Sequence, residues 1–170
     1  MRRLSVLLLA LAVLGCHGEP VAPNTLAPQL LPSVPPNTVR GYVLVLPREG
    51  DVTVLHVRIE ANGLVLGAYQ GNLTFNPGAL EIIGSNDTEV DFQAVNLDRA
   101  ASGQVRFAAF TATGFKTTLA LDLVVRTKRP LTREDATLAL NVIGTLDGSR
   151  VDAQRIQILP TLVDYADGAR

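Results

Sequence analysis

Residues 52–83 read VTVLHVRIEANGLVLGAYQGNLTFNPGALEII, and this stretch decides the fold. In its first part, aliphatic side chains alternate with His56 and Arg58, a period of two that is typical of a β-strand with one buried face. From Leu66 to Phe75, apolar and polar residues alternate again. Asn62-Gly63 lies between the two runs and is a turn sequence. The stretch therefore predicts two consecutive strands that are joined by a short turn.

Runs of the same β type continue along the chain and are separated by turn residues such as Ser102-Gly103 and Asp147-Gly148. The further strands are predicted at residues 42–46, 90–95, 104–110, 118–125, 137–143 and 155–159. Helical periodicity is poor, and we expect at most one turn of helix, at residues 132–135. Many short strands with regular turns predict one all-β sandwich or barrel, which we place at residues 39–160 with a tail over 161–170.

The chain begins with a segment typical of secretory signals. Arg2 and Arg3 give a positive start, and an apolar run over residues 4–14 is too short to span a bilayer. Val13-Leu14-Gly15-Cys16 then resembles the lipobox of bacterial lipoproteins, in which the Cys is acylated before cleavage. Residues 1–15 are therefore predicted to be a lipoprotein signal peptide. The alternatives are a plain secretory signal with a chance Cys, or a buried first element of the domain.

Lipidation of Cys16 would anchor the protein to a membrane through acyl chains, such as palmitate, at about 0.8 kcal/mol per buried CH₂. The following residue is His17, so the Asp that retains many lipoproteins in the inner membrane is absent. By resemblance to enterobacterial sorting, we expect a location in the bacterial cell envelope, at the outer membrane.

Residues 16–38 join this anchor to the domain and contain six prolines between residues 20 and 36. Proline excludes a helix here and favours a stiff, extended chain of about 3.1 Å per residue. We interpret the segment as a tether. In an alternative interpretation it is an ordered arm that packs on the domain through Leu26, Leu30, Leu31 and Val34.

Three motifs together resemble the cohesin domain family. The first is an aromatic-Asn-Pro-x-x-Leu motif at Phe75–Leu80, which follows a strand with Gly-Ala near its start. The second is a Gly-x-aliphatic-x-aromatic strand at residues 103–110, and the third is a core strand at residues 119–125. The resemblance covers roughly residues 40–158. It implies a single antiparallel β-sandwich, a jelly roll of about nine strands that cohesins share with several carbohydrate-binding modules.

Cohesins bind dockerins, which are helical calcium-loaded modules, through one sheet face. The resemblance therefore implies a non-catalytic protein-binding module with a dockerin-like or other envelope protein as its partner. It does not identify the residues of the binding face in this chain.

Charge and motifs argue against several other classes. Residues 1–15 hold two of the 15 basic residues and no acidic one, so 13 basic and 16 acidic residues remain, a net charge of −3. We therefore expect no nucleic-acid partner. No nucleophile elbow, phosphate loop or zinc motif is present in the sequence, and His17 and His56 lack a spaced partner, so we predict no enzyme and no cofactor. An enzyme with a scattered carboxylate pair is the remaining catalytic alternative.

Asp87, Glu89 and Asp91 share one parity, so a strand would place all three carboxylates on one side. Oxygen ligands of this kind can bind Ca²⁺, which makes them weak calcium candidates. A solvated acidic edge that prevents strand addition explains the same residues.

A glycan-binding lipoprotein on the related jelly-roll fold, or a structural envelope protein, is the alternative function. Glycan binding needs exposed aromatic rings, and the chain has no Trp, three Tyr and five Phe. Alternation assigns Tyr69, Phe75 and Phe107 to the core. The side chains that remain available are those of Tyr42, Phe92, Phe110, Phe115 and Tyr165.

Overall fold

The computed structural model of the protein describes residues 31, 33–86, 88 and 90–164. Nine strands lie within them: β1 (Thr38–Pro47), β2 (Val52–Asn62), β3 (Leu66–Phe75), β4 (Leu80–Asn86), β5 (Phe92–Asn96), β6 (Gln104–Phe115), β7 (Thr117–Thr127), β8 (Ala136–Thr145) and β9 (Ile156–Asp164). Single 3₁₀ turns occur at Ala100–Ser102, Arg133–Asp135 and Ala153–Arg155. Among the described residues, no helix has the length and apolarity needed to cross a membrane.

The strands form two sheets that face each other. One has five strands in the order β4-β7-β2-β1-β9, and the other has four in the order β5-β6-β3-β8. All neighbouring strands are antiparallel except β1 and β9, which run parallel. The predicted β-sandwich of about nine strands is confirmed, and the parallel β1–β9 pair is the one departure from a fully antiparallel arrangement.

The core lies between the sheets and is formed by the inward-pointing side chains of the strands. Leu55, Val57 and Ile59 of β2 are fully buried, as their alternation predicts. The ring of Tyr69 packs 6.1 Å from that of Phe107, and the Tyr69 hydroxyl donates to the Ala120 carbonyl at 3.1 Å. This bond links the two sheets and leaves the phenol oxygen satisfied inside the core.

One glycine of the core is required by its neighbours. Gly71 lies on the inward side of β3, where a β-carbon would come within 2.5 Å of the Phe107 ring and 2.8 Å of the Ala139 carbonyl oxygen. The absence of a side chain at Gly71 therefore lets the Phe107 ring pack directly on the backbone of β3.

The Phe75–Leu80 motif carries the chain from one sheet to the other. Asn76 accepts bonds from the amides of Ala79 and Leu80 through its carbonyl, and its side chain accepts one from Gly78. Phe75 and Leu80 are both buried at the ends of this turn. The turn therefore joins the two sheets, since β3 lies in the four-stranded sheet and β4 in the five-stranded sheet.

The turn before β8 is held by a buried carboxylate. Asp135 receives two bonds from Arg129, at 2.6 and 2.8 Å, and bonds from the amide and hydroxyl of Thr132. Burial alone would raise the pKa of Asp135, but these bonds and the Arg129 charge hold it below its usual value of 3.8. The predicted single helical turn at residues 132–135 is confirmed and is stabilised by this network.

Candidate functional site

The outer face of the four-stranded sheet carries the most exposed aromatic side chains among the described residues. Leu73, Val105 and Phe107 are buried in the core, so the residues that alternate with them along β3 and β6 point outward. The outward residues of the four strands are Phe92, Ala94, Asn96, Gln104, Arg106, Ala108, Phe110, Ala68, Gln70, Asn72, Thr74, Thr137, Ala139, Asn141 and Val142. We call this surface the four-stranded face.

Two phenylalanines form its most apolar part. Phe92 of β5 and Phe110 of β6 are register partners, and their rings stack with centroids 4.9 Å apart and planes at 25°. Phe92 is 55% exposed and Phe110 is 54% exposed. The two rings cover each other on one side only and present the rest of their surface to solvent.

The four-stranded face carries a single charged residue, Arg106. Its other polar groups are the amides and hydroxyls of Gln70, Asn72, Asn96, Gln104, Asn141, Thr74 and Thr137. Depletion of charge together with aromatic residues and Arg is the composition of the buried centre of a protein–protein interface. The small residues Ala68, Ala94, Ala108 and Ala139 lie between the polar groups.

A polar pocket lies at one corner of this face. Its walls are Asn96, Asp98, Arg99, Gln104 and Arg106. Asn96 is held in place by a bond from its amide to the Asp98 carboxylate at 3.3 Å, and the Asp98 amide donates back to the Asn96 side chain at 3.0 Å. The guanidinium groups of Arg99 and Arg106 share this corner with the Asp98 carboxylate, so the corner can donate hydrogen bonds to a planar acceptor.

The outer face of the five-stranded sheet is different over β1 and β2, where its polar groups are paired and covered. Arg40 donates to Glu60 at 2.5 Å, and the Tyr42 hydroxyl donates to the other oxygen of the same carboxylate at 2.5 Å. The Arg40 guanidinium also lies 5.5 Å from the centre of the Tyr42 ring. Burial, followed by the bond to Glu60, raises the pKa of Tyr42 well above its usual value of 10.

His56, which alternates with the buried aliphatic residues of β2, lies on this outer face and is largely covered. Its side chain is 19% exposed, and Nε2 lies 3.5 Å from the Asp122 carboxylate, which also accepts a bond from Asn86 at 3.2 Å. Burial lowers the pKa of His56 below its usual 6.5 and outweighs the attraction of Asp122. His56 therefore lies on the outward side of β2, where it is partly covered and faces Asp122 on the neighbouring strand β7.

Of the three calcium candidates, Asp87 and Glu89 lie outside the described residues. Asp91 accepts bonds from the Thr111 hydroxyl at 2.6 Å and the Ala112 amide at 3.0 Å, and these bonds lower its pKa. Asp91 therefore fastens the start of β5 to β6. In the part of the chain that the structure covers, no group of three or more His, Cys, Asp or Glu is placed to hold a metal ion.

The predicted lipidation site, Cys16, and the signal peptide over residues 1–15 also lie outside the described residues, as does Tyr165. Of the remaining aromatic side chains, Tyr42 is buried, Phe115 packs edge-on against Tyr69 at 5.8 Å, and Phe92 and Phe110 are exposed. Alternation alone did not assign these two rings, because it fixes a residue's side of a strand but not which side is open.

Comparison with solved structures identifies the fold. A type II cohesin from the cellulosome of Acetivibrio cellulolyticus matches with a TM-score of 0.56 and 12% identity, over 73% of this chain and 93% of its own. The non-cellulosomal cohesin of the archaeon Archaeoglobus fulgidus matches with a TM-score of 0.53 and 15% identity, over 79% and 94%. A type I cohesin–dockerin complex from Clostridium thermocellum gives 0.57 and 8%, over 76% and 100%.

No protein-family model matches the chain, and no curated protein matches it either. The class that the two sheets define is a jelly-roll β-sandwich. Within that class, the protein has the cohesin fold, as the sequence motifs predicted.

Proposed function

We propose that the protein is a non-catalytic binding module that presents the four-stranded face to a protein partner. The observation that carries this proposal is the stacked, half-exposed pair Phe92–Phe110 on a face with one charge. Burying such rings on association is favourable at about 25 cal/mol per Å² of apolar surface. Aromatic anchors of this kind dominate the binding energy of many protein interfaces.

The partner class is suggested by the structural neighbours. Several of them are cohesins in complex with dockerins, so a dockerin-like module is the partner that we propose. The corner at Arg99 and Arg106 supplies charged donors at the rim of the aromatic centre. This division into an apolar centre and a polar rim is typical of protein recognition.

An affinity capture with the full chain in detergent tests this function. Bait proteins would be the native chain, the Phe92→Ala/Phe110→Ala variant, and Ile83→Ala as a matched control, since Ile83 is an exposed aliphatic residue on β4 of the other sheet. We expect one protein to be enriched by the native chain and by Ile83→Ala and to be lost with the double variant. Equal capture by all three baits would refute the assignment of the face. Parallel runs with calcium and with a chelator show whether the partner is calcium-loaded.

We further propose that Cys16 carries the lipid anchor and that the module is displayed in the bacterial cell envelope, at the outer membrane. The lipobox-like sequence before Cys16 supports this proposal. Metabolic labelling with a palmitate analogue is expected to mark the native chain and not Cys16→Ser, which should leave the membrane fraction. Labelling of Cys16→Ser at the native level would contradict lipidation at this residue.

Glycan binding is the second candidate, and the exposed rings are the observation that favours it. Phe110 lies opposite Ala68 in the register, and the amides of Gln70 and Asn72 follow along β3 on the same face. Rings beside amides can stack on a sugar and hydrogen-bond to its hydroxyls. A glycan array probed with the native chain and the double Phe variant distinguishes the two: a signal that depends on Phe92 and Phe110 supports glycan binding.

A further inference from the structure

The polar pocket at the corner of the four-stranded face, which we call the corner pocket, holds two guanidinium groups that the fold itself does not use. Other arginines of the chain bind oxygens of their own domain, as Arg129 binds Asp135. Arg99 and Arg106 line the corner pocket, and among the described residues neither guanidinium has a hydrogen bond or an ion pair. Two unpaired positive charges in one pocket favour an anionic ligand.

The loop that carries Arg99 from β5 to β6 is fixed by hydrogen bonds. The Arg99 carbonyl accepts bonds from the amides of Ser102 and Gln104, at 3.0 and 3.1 Å, and from the Ser102 hydroxyl at 2.9 Å. Gly103 closes the loop with a φ of 81°, and a β-carbon there would clash with the Phe75 carbonyl oxygen. The backbone of Arg99 is therefore in place before a ligand arrives, which lowers the ordering cost of binding.

The neighbours of Arg106 on the sheet are neutral. In the strand register, Arg106 lies between Asn96 of β5 and Asn72 of β3. The one carboxylate of the corner pocket belongs to Asp98, which accepts a bond from the Asn96 amide at 3.3 Å and forms no ion pair with either guanidinium. Two guanidinium groups and one carboxylate leave the corner pocket with a net charge of +1.

We propose that the corner pocket binds a carboxylate of the protein partner, the side chain of an Asp or a Glu, and that Arg99 and Arg106 determine specificity for it. This inference rests on the function proposed above. A guanidinium presents parallel N–H groups that match the two oxygens of a carboxylate, and such charge-assisted bonds are stronger than neutral ones. The Gln104 amide, which also lines the pocket, is a further donor.

The position of the corner pocket relative to the aromatic pair sets a requirement on the partner. Phe92 lies opposite Phe110, and Asn96 lies opposite Arg106, four residues away along each strand. At about 3.3 Å per residue, the two contacts are about 13 Å apart. The partner is therefore expected to carry an apolar group for the rings and, about 13 Å away on the same surface, an acidic residue. A basic residue at that place would be rejected, because it would meet two like charges.

A free carboxylate tests the corner pocket without the partner. In the full chain in mild detergent, the arginine Nε–H signals are followed by NMR during addition of sodium acetate and, separately, of sodium chloride at the same ionic strength. We expect the signals of Arg99 and Arg106 to shift with acetate in a saturable way and to shift less with chloride. Arg133, an exposed arginine of the turn before β8, is the internal control and should respond equally to the two salts. Equal responses of all three arginines to acetate and to chloride would overturn the proposal, since they would indicate only ionic screening.

Affinity for the captured partner tests the role of the two arginines in specificity. Arg99→Gln/Arg106→Gln should weaken binding about 10- to 100-fold, measured as Kd, because hydrogen bonds between charged groups are lost. It should also remove most of the salt dependence of Kd. Arg106→Lys keeps the charge but not the fork of donors, so it should still bind more weakly than the native chain. Arg133→Gln is the matched control and should bind as the native chain does. Because Arg99 and Arg106 are exposed and unpaired, their replacement should leave the thermal unfolding midpoint unchanged.

Comparison with the Phe92→Ala/Phe110→Ala variant separates this inference from the proposed function. Native-level binding by Arg99→Gln/Arg106→Gln, together with loss of binding by the phenylalanine variant, would overturn the carboxylate site and leave the four-stranded face as the interface. The opposite pattern, in which only the arginine variant loses binding, would support the carboxylate site and refute the aromatic anchor.

Discussion

Replacing Phe92 and Phe110 by Ala removes the two exposed rings from the four-stranded face. An aromatic side chain has about 150–250 Å² to bury, and slightly more than half remains exposed at each position, so a partner can cover about 100 Å² of each ring. At about 25 cal/mol per Å², that cover is worth about 2.5 kcal/mol per ring, of which truncation to Ala loses about 2 kcal/mol. Each single variant should therefore weaken binding about 30-fold.

The two losses should not simply add, because the rings stack on each other at 4.9 Å. We expect the double variant to weaken binding by between about 30-fold and 1,000-fold, measured as Kd by calorimetry or biolayer interferometry with the captured partner. Thermal unfolding serves as the control, since losing an exposed aromatic pair should cost only about 0.5–1.5 kcal/mol of stability. A double variant that folds normally and binds within about threefold of the native chain would refute the role of the rings.

Three further variants test the fold. Gly71→Ala places a methyl group against the Phe107 ring and should destabilise the domain by about 1–3 kcal/mol, seen as a lower urea midpoint. Asp135→Asn removes the carboxylate that binds Arg129 and should cost about 1–3 kcal/mol at pH 7. Because the pKa of Asp135 is lowered in the folded state, its contribution is present above pH 3.8 and lost as pH falls, so the variant should show a weaker loss of stability below pH 4. The lowered pKa of His56 means that the native chain should lose stability as pH falls below 6.5, and His56→Gln should flatten this dependence in unfolding curves between pH 7.5 and 5.

Much of the fold could be predicted because the strongest signals are local. The alternation around His56 and the Phe75–Leu80 turn each fix a strand's buried side, and the structure confirms both. The strand β4 was not among the predicted runs. Residues 80–86 do not alternate cleanly between apolar and polar side chains. In the structure, β4 lies at the edge of its sheet, and a bulge interrupts its pairing with β7, so a regular alternation is not needed there.

The candidate site was less accessible to sequence reasoning. Phe92 and Phe110 lie 18 residues apart, and only the β5–β6 register brings their rings together. The same alternation that exposes Phe110 places Tyr42 on an outer face, yet Tyr42 is buried. The exposure of an outward side chain depends on what packs over it, as Leu31 and Leu159 do at Tyr42, and this is a tertiary property that no single strand encodes.

Photo-crosslinking in the cells that make the protein tests the central claim most directly. A benzophenone amino acid would replace Ala108, at the centre of the four-stranded face, and in a second variant Arg126, an exposed residue of β7 in the other sheet. We predict that the probe at position 108 captures one protein in good yield and that the probe at 126 captures none of it. Capture of the same protein from position 126 and not from position 108 would contradict the assignment of the four-stranded face as the binding surface.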